Sequence, residues 1–322
     1  MSKVSYLVST YDSGSFLEAH LANLLERQTD PDFEVVVVNP ASPGTDAIIA
    51  EKWAAMDPRV KYIYHDVREP YGASWLRAWR AATSPVVMNS NTDDFHAVET
   101  TAVVSQVMSS VPPNVGFCYG GLTIIDEQNR VQGRGLKPPF DFEVMSRECW
   151  AGPQVAWRNT SDFKSRLDWD LMDRRSTEHQ SAFDYWLWLY FMSKGYQGYA
   201  IQALITVYMQ RQGSIENRNK WANNYETYAA ISEFFPHHFS GHLKHAREFA
   251  EFTSLPPKAD WVAAMQQGKS WKQQKNYVIK SRDSRRPSRI CLTRSSISKT
   301  HALLTWLQLH KSFKKESRSS CP

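Results

Sequence analysis

The chain has few of the features that mark secreted, redox-active or membrane-spanning proteins. It has only four cysteines in 322 residues, and no two of them form a Cys-x-x-Cys pair, so neither a zinc knuckle nor a redox motif is indicated. The N-terminus lacks the basic stretch and long apolar stretch of a secretory signal. No apolar run approaches the roughly 20 residues that a helix needs to span a bilayer. We therefore expect a cytoplasmic protein with reduced cysteines, or one peripheral on the cytoplasmic face of a membrane.

Positive charge is concentrated at one end of the chain. Residues 281–322 contain ten Lys or Arg and two acids, a net charge of +8, whereas the whole chain carries +5, which leaves −3 for the remainder. Such a segment can contact anionic membrane or nucleic acid, or it can simply be solvated. It lacks aromatic interleaving and any recognised nucleic-acid-binding motif, so nucleic acid is the disfavoured partner. We expect a flexible basic tail, with peripheral contact to an anionic membrane as the alternative.

The first half of the chain alternates short β-branched runs with amphipathic segments. Near-continuous apolar strands separated by helical spacing are typical of an α/β fold, a doubly wound and mostly parallel sheet with helices on both faces. The predicted strands are Val4–Ser9, Phe33–Val38, Val60–Tyr64 and Pro85–Asn89. The predicted organisation is an α/β domain over 1–214, a helical extension over 215–280 and the basic tail over 281–322.

Polar residues follow three of these strands, where sheets of this kind bind ligands. Thr10 and Tyr11 follow the first strand, and Asn39 follows the second. Asp93 and Asp94 follow the fourth, and adjacent carboxylates cannot be buried there without partners. Their oxygens suit Mg²⁺ or Mn²⁺ that bridges to phosphate, although either residue could instead cap a helix. The sequence therefore predicts a cleft at this edge of the sheet, with a divalent cation as the expected cofactor.

A third carboxylate begins an apolar segment in the second half of the chain. Asp184 opens a predicted buried helix that ends at Gly195. Apolar neighbours such as Phe183 and Trp186 would raise the pKa of this carboxyl towards the strength of a useful base. A helix cap or a first-turn acid favoured by the helix dipole is the alternative.

Taken in order, these motifs resemble the family 2 glycosyltransferases of the GT-A fold. The resemblance covers about Ser5–Ser214, and it rests on the ordered set because no single motif is specific. The matching motifs are Ser9-Thr10-Tyr11-Asp12, Gln28-Thr29 before a strand, Gly72 with Arg77, Asn91-Thr92-Asp93-Asp94, Gly152-Pro153-Gln154, Trp157-Arg158 and the helix that Asp184 opens. The family implies transfer of a sugar, with inversion, from a nucleotide-diphosphate donor to a hydroxyl of a glycan or glycolipid. The preferred donor would be a UDP-sugar.

The resemblance also implies roles for the matching residues. Thr10 and Tyr11 would line the nucleotide pocket, and Arg77 would lie near the donor. Asp94 would bind the metal, while Asp93 would contact the metal or the donor sugar. The general base would be Asp184. The acceptor side would include Trp157 and Arg158.

Three positions depart from the family pattern. Asn39 stands where an acid usually reads the base, and an amide can still pair with it. Asn91 replaces the first acid of the metal motif. Arg211 stands where a histidine often lies, and it could hold a diphosphate directly but cannot ligate a metal. These departures leave a non-catalytic nucleotide- or sugar-binding relic as one alternative. A sugar-phosphate nucleotidyltransferase is the other, although the segment after the first strand has no basic phosphate loop.

Overall fold

A nine-stranded mixed sheet forms the centre of the computed structural model. The structure describes residues 2–146, 151–152, 154–179, 181–211, 226–227, 229–231 and 233–235. The predicted tail lies outside these residues, as does the predicted helical extension apart from the last three short pieces. The boundaries at 214 and 280 therefore stay predictions.

The strands run in an order that differs from their order along the chain. Their bounds are β1 Val4–Ser9, β2 Phe33–Pro40, β3 Val60–His65, β4 Val86–Asn91, β5 Phe95–His96, β6 Val115–Asp126, β7 Val131–Gly135, β8 Val155–Arg158 and β9 Gln197–Gln210. The order across the sheet is β3-β2-β1-β4-β8-β6-β9-β5, and β7 pairs with β6. β1 to β4, β6 and β9 share one direction, while β5, β7 and β8 run against it. The predicted fold class, α/β with a mostly parallel sheet, is confirmed.

Helices cover both faces of the sheet. Their bounds are α1 Ser15–Arg27, α2 Asp46–Met56, α3 Tyr71–Ala81, α4 Thr100–Ser110, α5 Phe142–Met145, α6 Ser161–Ser165, α7 Trp169–Glu178 and α8 Phe183–Ser193. Strand side chains alternate between two cores, as the period of two requires: Val36 packs with α3 and α8, whereas Val35 packs with α1 and α2. We call these the α8 face and the α1 face. None of the helices in the described ranges is long and apolar enough to cross a membrane.

The segment 115–125 lies in one continuous strand, β6, although it contains two adjacent glycines. Gly120 and Gly121 allow close packing of the neighbouring strands. A Cβ on Gly120 would lie 2.5 Å from Ile205 Cγ1, and one on Gly121 would lie 2.8 Å from the main-chain oxygen of Gly135. Glycine is thus needed here for the approach of β9 and β7 to β6. Further along the chain, residues 133–145 contain part of β7 and the short α5.

The direction of the strands places the ends of the other elements. The carboxyl ends of β1, β2, β4 and β9 lie at one edge of the sheet, which we call the carboxyl edge. α8 ends at the opposite edge, because Gln197, just beyond it, donates its N–H to the main-chain oxygen of Asn114 before β6 (2.8 Å). An 11-residue helix is about 16 Å long, so the start of α8 lies towards the carboxyl edge.

Candidate active site

The acidic pair Asp93 and Asp94 follows β4 at the carboxyl edge, and its two carboxylates have different surroundings. Asp94 is only 1 % exposed. Its Oδ1 accepts from the main-chain N–H of Met209 (2.9 Å) and its Oδ2 accepts from Asn91 Nδ2 (3.2 Å). Burial and the neighbouring charge of Asp93 raise the pKa of Asp94 well above its usual range. Asp94 therefore joins β9 to the turn that carries this acidic pair, which we call the acidic turn.

Asp93 is the more accessible carboxylate of the pair. Its side chain is 22 % exposed, and its Oδ2 accepts from Arg211 Nε at 2.7 Å. The Arg211 guanidinium also lies over the ring of Phe16 in α1, with its Cζ 5.0 Å from the ring centre. The end of β9 thus brings a cation beside the acidic turn. A guanidinium there can pair with a carboxylate or a phosphate, since its planar fork matches both.

Thr10 lies beneath the loop between β1 and α1, where a buried carboxylate organises the chain. Asp46 is fully buried and accepts from Thr10 Oγ1 (2.7 Å), the Gly14 N–H (2.8 Å) and Ser42 Oγ (3.0 Å). The Thr10 hydroxyl therefore holds the loop in shape. Sequence reasoning missed Asp46, because an Asp at a helix start is ordinarily interpreted as serving its own helix.

Tyr11 and Asn39 lie at neighbouring strand ends. The Tyr11 ring is half-buried, and the Arg68 guanidinium stacks over it, 4.3 Å from its centre. Asn39 is fully buried; its Oδ1 accepts from the Ser42 N–H (2.8 Å) and its Nδ2 donates to the Tyr62 hydroxyl (3.2 Å). Both residues thus lie at the carboxyl edge, and their contact with a base stays a prediction.

Arg77 lies on α3 and is held by an acid. Its Nε donates to Glu69 Oε1 (3.1 Å) and its Nη2 donates to Glu69 Oε2 (2.9 Å). With Arg80 and Asp173 it lines a surface cavity of about 570 Å³ beside α3 and α7. The described contacts do not join Arg77 to the acidic turn, and its place near the donor stays a prediction.

Asp184 occupies the second position of α8 and meets the start of α3. The Phe183 N–H donates to the Tyr71 hydroxyl (3.0 Å). Burial raises the pKa of Tyr71 well above its usual range, and the negative charge of Asp184 raises it further. The Phe183 ring packs on Gly72, where a Cβ would lie 2.5 Å from Phe183 Cδ1. Asp184, half-buried, is thus fixed where α3 and α8 begin, towards the same edge as Asp93.

Trp157 and Arg158, predicted for the acceptor side, lie elsewhere. Trp157 is 1 % exposed in the core of the α8 face, with its ring centre 4.9 Å from that of Phe191. Arg158 donates to the main-chain oxygens of Val115 (2.6 Å) and Val111 (2.9 Å), at the start of β6 and the end of α4. These contacts place Arg158 at the edge opposite Asp93. The prediction for both residues is wrong, because the strand period turns Trp157 inwards and β8 runs against β4.

The donor atoms around the acidic turn limit how a metal ion could bind there. In the described ranges, no group of three or more His, Cys, Asp or Glu is arranged to hold a metal ion. Mg²⁺ and similar cations are often bound by one or two carboxylates, with substrate phosphates and water completing the shell. Asp93 provides one accessible carboxylate with that chemistry. The acidic turn therefore fits a cation that binds together with a diphosphate.

Comparison with known proteins bears on this edge directly. Residues 5–148, which include β1 to β4 and the acidic turn, match the family model described as glycosyl transferase family 2. No curated protein matches the chain.

Several solved structures resemble the chain in part. One is S. aureus TarS 1–349 in complex with UDP-GlcNAc, at 18 % identity and a TM-score of 0.49, over 74 % of this chain and 73 % of that one. Another is the mannosyltransferase PcManGT from Pyrobaculum calidifontis in complex with GDP-Man and Mn²⁺, at 16 % identity and a TM-score of 0.48, over 86 % and 85 %. The chain spans 64 % of another TarS 1–349 structure and 44 % of a TarS structure described without residue limits. Residues 5–148 are thus similar to the domain that defines glycosyl transferase family 2.

Proposed function

We propose that this protein is a glycosyltransferase that moves a sugar from a nucleotide-diphosphate donor, with a UDP-sugar as the first donor to test, to a hydroxyl of a glycan or glycolipid. The observation that carries the proposal is the pairing of Asp93 with Arg211 at the carboxyl edge, 2.7 Å apart. A carboxylate and a guanidinium side by side can serve a diphosphate in two ways, through a shared cation and through direct hydrogen bonds. Asp184, at the start of α8, supplies a second carboxylate towards the same edge.

The geometry favours Asp93 over Asp94 as the main metal ligand. Both oxygens of Asp94 already accept hydrogen bonds within the protein, whereas Asp93 is the more exposed carboxylate. Mn²⁺ or Mg²⁺ bound there would neutralise charge that develops on the departing diphosphate. Arg211 would donate to a phosphate oxygen, either after releasing Asp93 or while still donating to Asp93.

Asp184 is proposed as the general base. As the acceptor hydroxyl oxygen forms a bond to the anomeric carbon, its proton passes to the Asp184 carboxylate. The bond from that carbon to the diphosphate oxygen breaks, and the nucleotide diphosphate leaves with the electron pair. A single displacement inverts the configuration of the anomeric carbon. Tyr11 and Asn39 are proposed to contact the nucleotide, with Thr10 holding the loop beneath it.

Turnover of a UDP-sugar panel with and without EDTA, in the wild type and in Asp93→Asn, tests this proposal. We expect EDTA to abolish turnover, added Mn²⁺ to restore it, and Asp93→Asn to lower kcat/KM by about 10²- to 10³-fold. Asp162→Asn is the matched control, since Asp162 is an exposed carboxylate paired with Arg166 on α6 and should leave turnover unchanged. Full activity in Asp93→Asn would refute the assignment. UDP binding without any turnover would instead favour the non-catalytic alternative.

The proposed contact with anionic membrane rests on the net charge of +8 over residues 281–322. Co-sedimentation of the full chain with phosphatidylserine vesicles is the test. Binding that survives removal of residues 281–322 would refute the role of the tail.

A further inference from the structure

Beneath the acidic turn lies a row of three buried polar side chains, His20, Ser90 and His96. His20 Nδ1 lies 2.7 Å from the main-chain oxygen of Asp94, and His20 Nε2 lies 2.8 Å from Ser90 Oγ. Ser90 Oγ in turn lies 2.8 Å from His96 Nε2. None of the three side chains is more than 2 % exposed. The row therefore connects α1, β4 and β5 directly below the carboxylates that the proposed function uses.

The partners fix the direction of every hydrogen bond in the row. A main-chain oxygen can only accept, so His20 Nδ1 carries a hydrogen. Burial lowers the pKa of His20 to about 4, so the ring is neutral near pH 7 and its Nε2 accepts from the Ser90 hydroxyl. Ser90 Oγ then accepts from His96 Nε2–H. All three bonds point the same way, and the last donor, His20 Nδ1–H, is aimed at Asp94.

Asp94 passes this constraint on to β9. Its main-chain oxygen is held by His20, while its Oδ1 holds the main-chain N–H of Met209 (2.9 Å). Arg211, two residues beyond Met209, pairs with Asp93, the residue next to Asp94. The turn is thus fixed on one side by α1 and on the other by β9, and Asp93 and Arg211 meet at the exposed end of these contacts.

We infer that His20 is a positioning residue for this site: its Nδ1–H bond to Asp94 sets the place of the acidic turn and hence the pairing of Asp93 with Arg211. The inference rests on the proposed function where it concerns donor binding, but the contact itself is a property of the fold. A role in core packing alone would make any side chain of similar size equivalent at this position. A positioning role requires a donor at the place of Nδ1.

Two substitutions separate these possibilities. His20→Asn keeps an amide N–H near the place of Nδ1, whereas His20→Gln places its amide near that of Nε2 and loses the bond to Asp94. Both variants bury one neutral amide in place of the ring, so their effects on global stability should be similar. Hydrogen exchange at the Met209 amide reports the turn without any ligand, and the Gln197 amide, bonded to Asn114 at the far end of β9, is the internal control.

We expect the Met209 amide to exchange about tenfold faster in His20→Gln than in His20→Asn, as for loss of one hydrogen bond, with Gln197 unchanged. Titration with UDP and Mn²⁺ should show a similar loss of affinity in His20→Gln only. Equal exchange at Met209 in the two variants would overturn the inference, whatever the binding result. A difference at Met209 without UDP binding by the wild type would keep the inference and count against the proposed donor. Should neither His20 variant fold, Ser90→Ala removes the hydroxyl that holds His20 Nε2, so the ring is no longer held with Nδ1–H towards Asp94. Unchanged Met209 exchange in that variant would also overturn the inference.

Discussion

The two faces of the sheet support the two parts of the candidate site by different means. On the α8 face, the start of α8 is fixed by ring packing: Phe183 stacks with Trp186, 5.7 Å between ring centres and 7° between planes, and rests on Gly72. On the α1 face, the acidic turn is fixed by hydrogen bonds among buried polar groups, with His20 at 2.7 Å from the Asp94 oxygen.

This difference predicts how each part fails. Where rings are packed, the loss of protein stability grows with the volume that a substitution removes or adds, and the neighbouring side chains relax only partly. A directional hydrogen bond is lost as a whole when its donor moves, and the remaining partner stays buried and unpaired. Substitutions on the α8 face should therefore act mainly on stability and on the position of Asp184. Substitutions beneath the acidic turn should act mainly on the donor.

The largest effect is expected for Asp184→Asn. If the carboxylate takes the acceptor proton, its loss should lower kcat by about 10²- to 10⁴-fold while donor affinity stays within a few fold. Asp170→Asn is the matched control, because Asp170 is also the second residue of its helix, α7. A role at the helix dipole alone would cost either variant about 0.3–1 kcal/mol of stability and leave kcat unchanged. Steady-state kinetics combined with urea unfolding distinguishes the general-base role from the helix-dipole role. Equal kcat values in the two variants would exclude Asp184 as the general base.

An intermediate effect is expected for Gly72→Ala. The new Cβ would meet Phe183 Cδ1 at 2.5 Å, so the ring and the start of α8 must shift. We expect a loss of about 1–3 kcal/mol in the free energy of unfolding, together with a lower kcat because Asp184 follows Phe183.

Gly44→Ala serves as its control. The nearest atom to a Cβ there is Asp12 Oδ1 at 3.4 Å, so chemical denaturation should show little change. Equal stability of the two variants would contradict the tight packing of Phe183 on Gly72. Loss of stability in Gly72→Ala with unchanged kcat would separate that packing from the placement of Asp184.

The sequence predicted the parallel half of the sheet well, because its strands are near-continuous apolar runs between helical repeats. It also placed Asp93 and Asp94 at a strand end. Periodicity could not show which of the two would be buried, since that depends on β9, which lies more than 100 residues further along the chain. Trp157 was misplaced for a related reason: motif order gives position along the chain, but not the side of β8 that faces the core.

His20 and Asp46 carried no sequence signal of their roles. Each lies at an ordinary helical position, and each acts through a main-chain or hydroxyl partner at least 32 residues away along the chain. Such contacts emerge only from the three-dimensional arrangement, because main-chain partners leave no pattern of residue types. Buried polar side chains in a helix that packs on an apolar sheet are the one general clue, since they need partners.

The smallest effect is expected at Cys118, in the core of the α1 face. Burial raises the pKa of its thiol from 9.0 to about 12, so almost no thiolate forms at pH 8. Peptide mapping after alkylation should show Cys118 unmodified in the native protein and modified in urea. Because the unfolded chain loses this proton near pH 9 and the native state only near pH 12, the unfolding free energy should fall between these values, and less so in Cys118→Ala. Native alkylation at pH 8 would mean that the α1 face opens readily, and the hydrogen bonds beneath the acidic turn would then be too transient to position it.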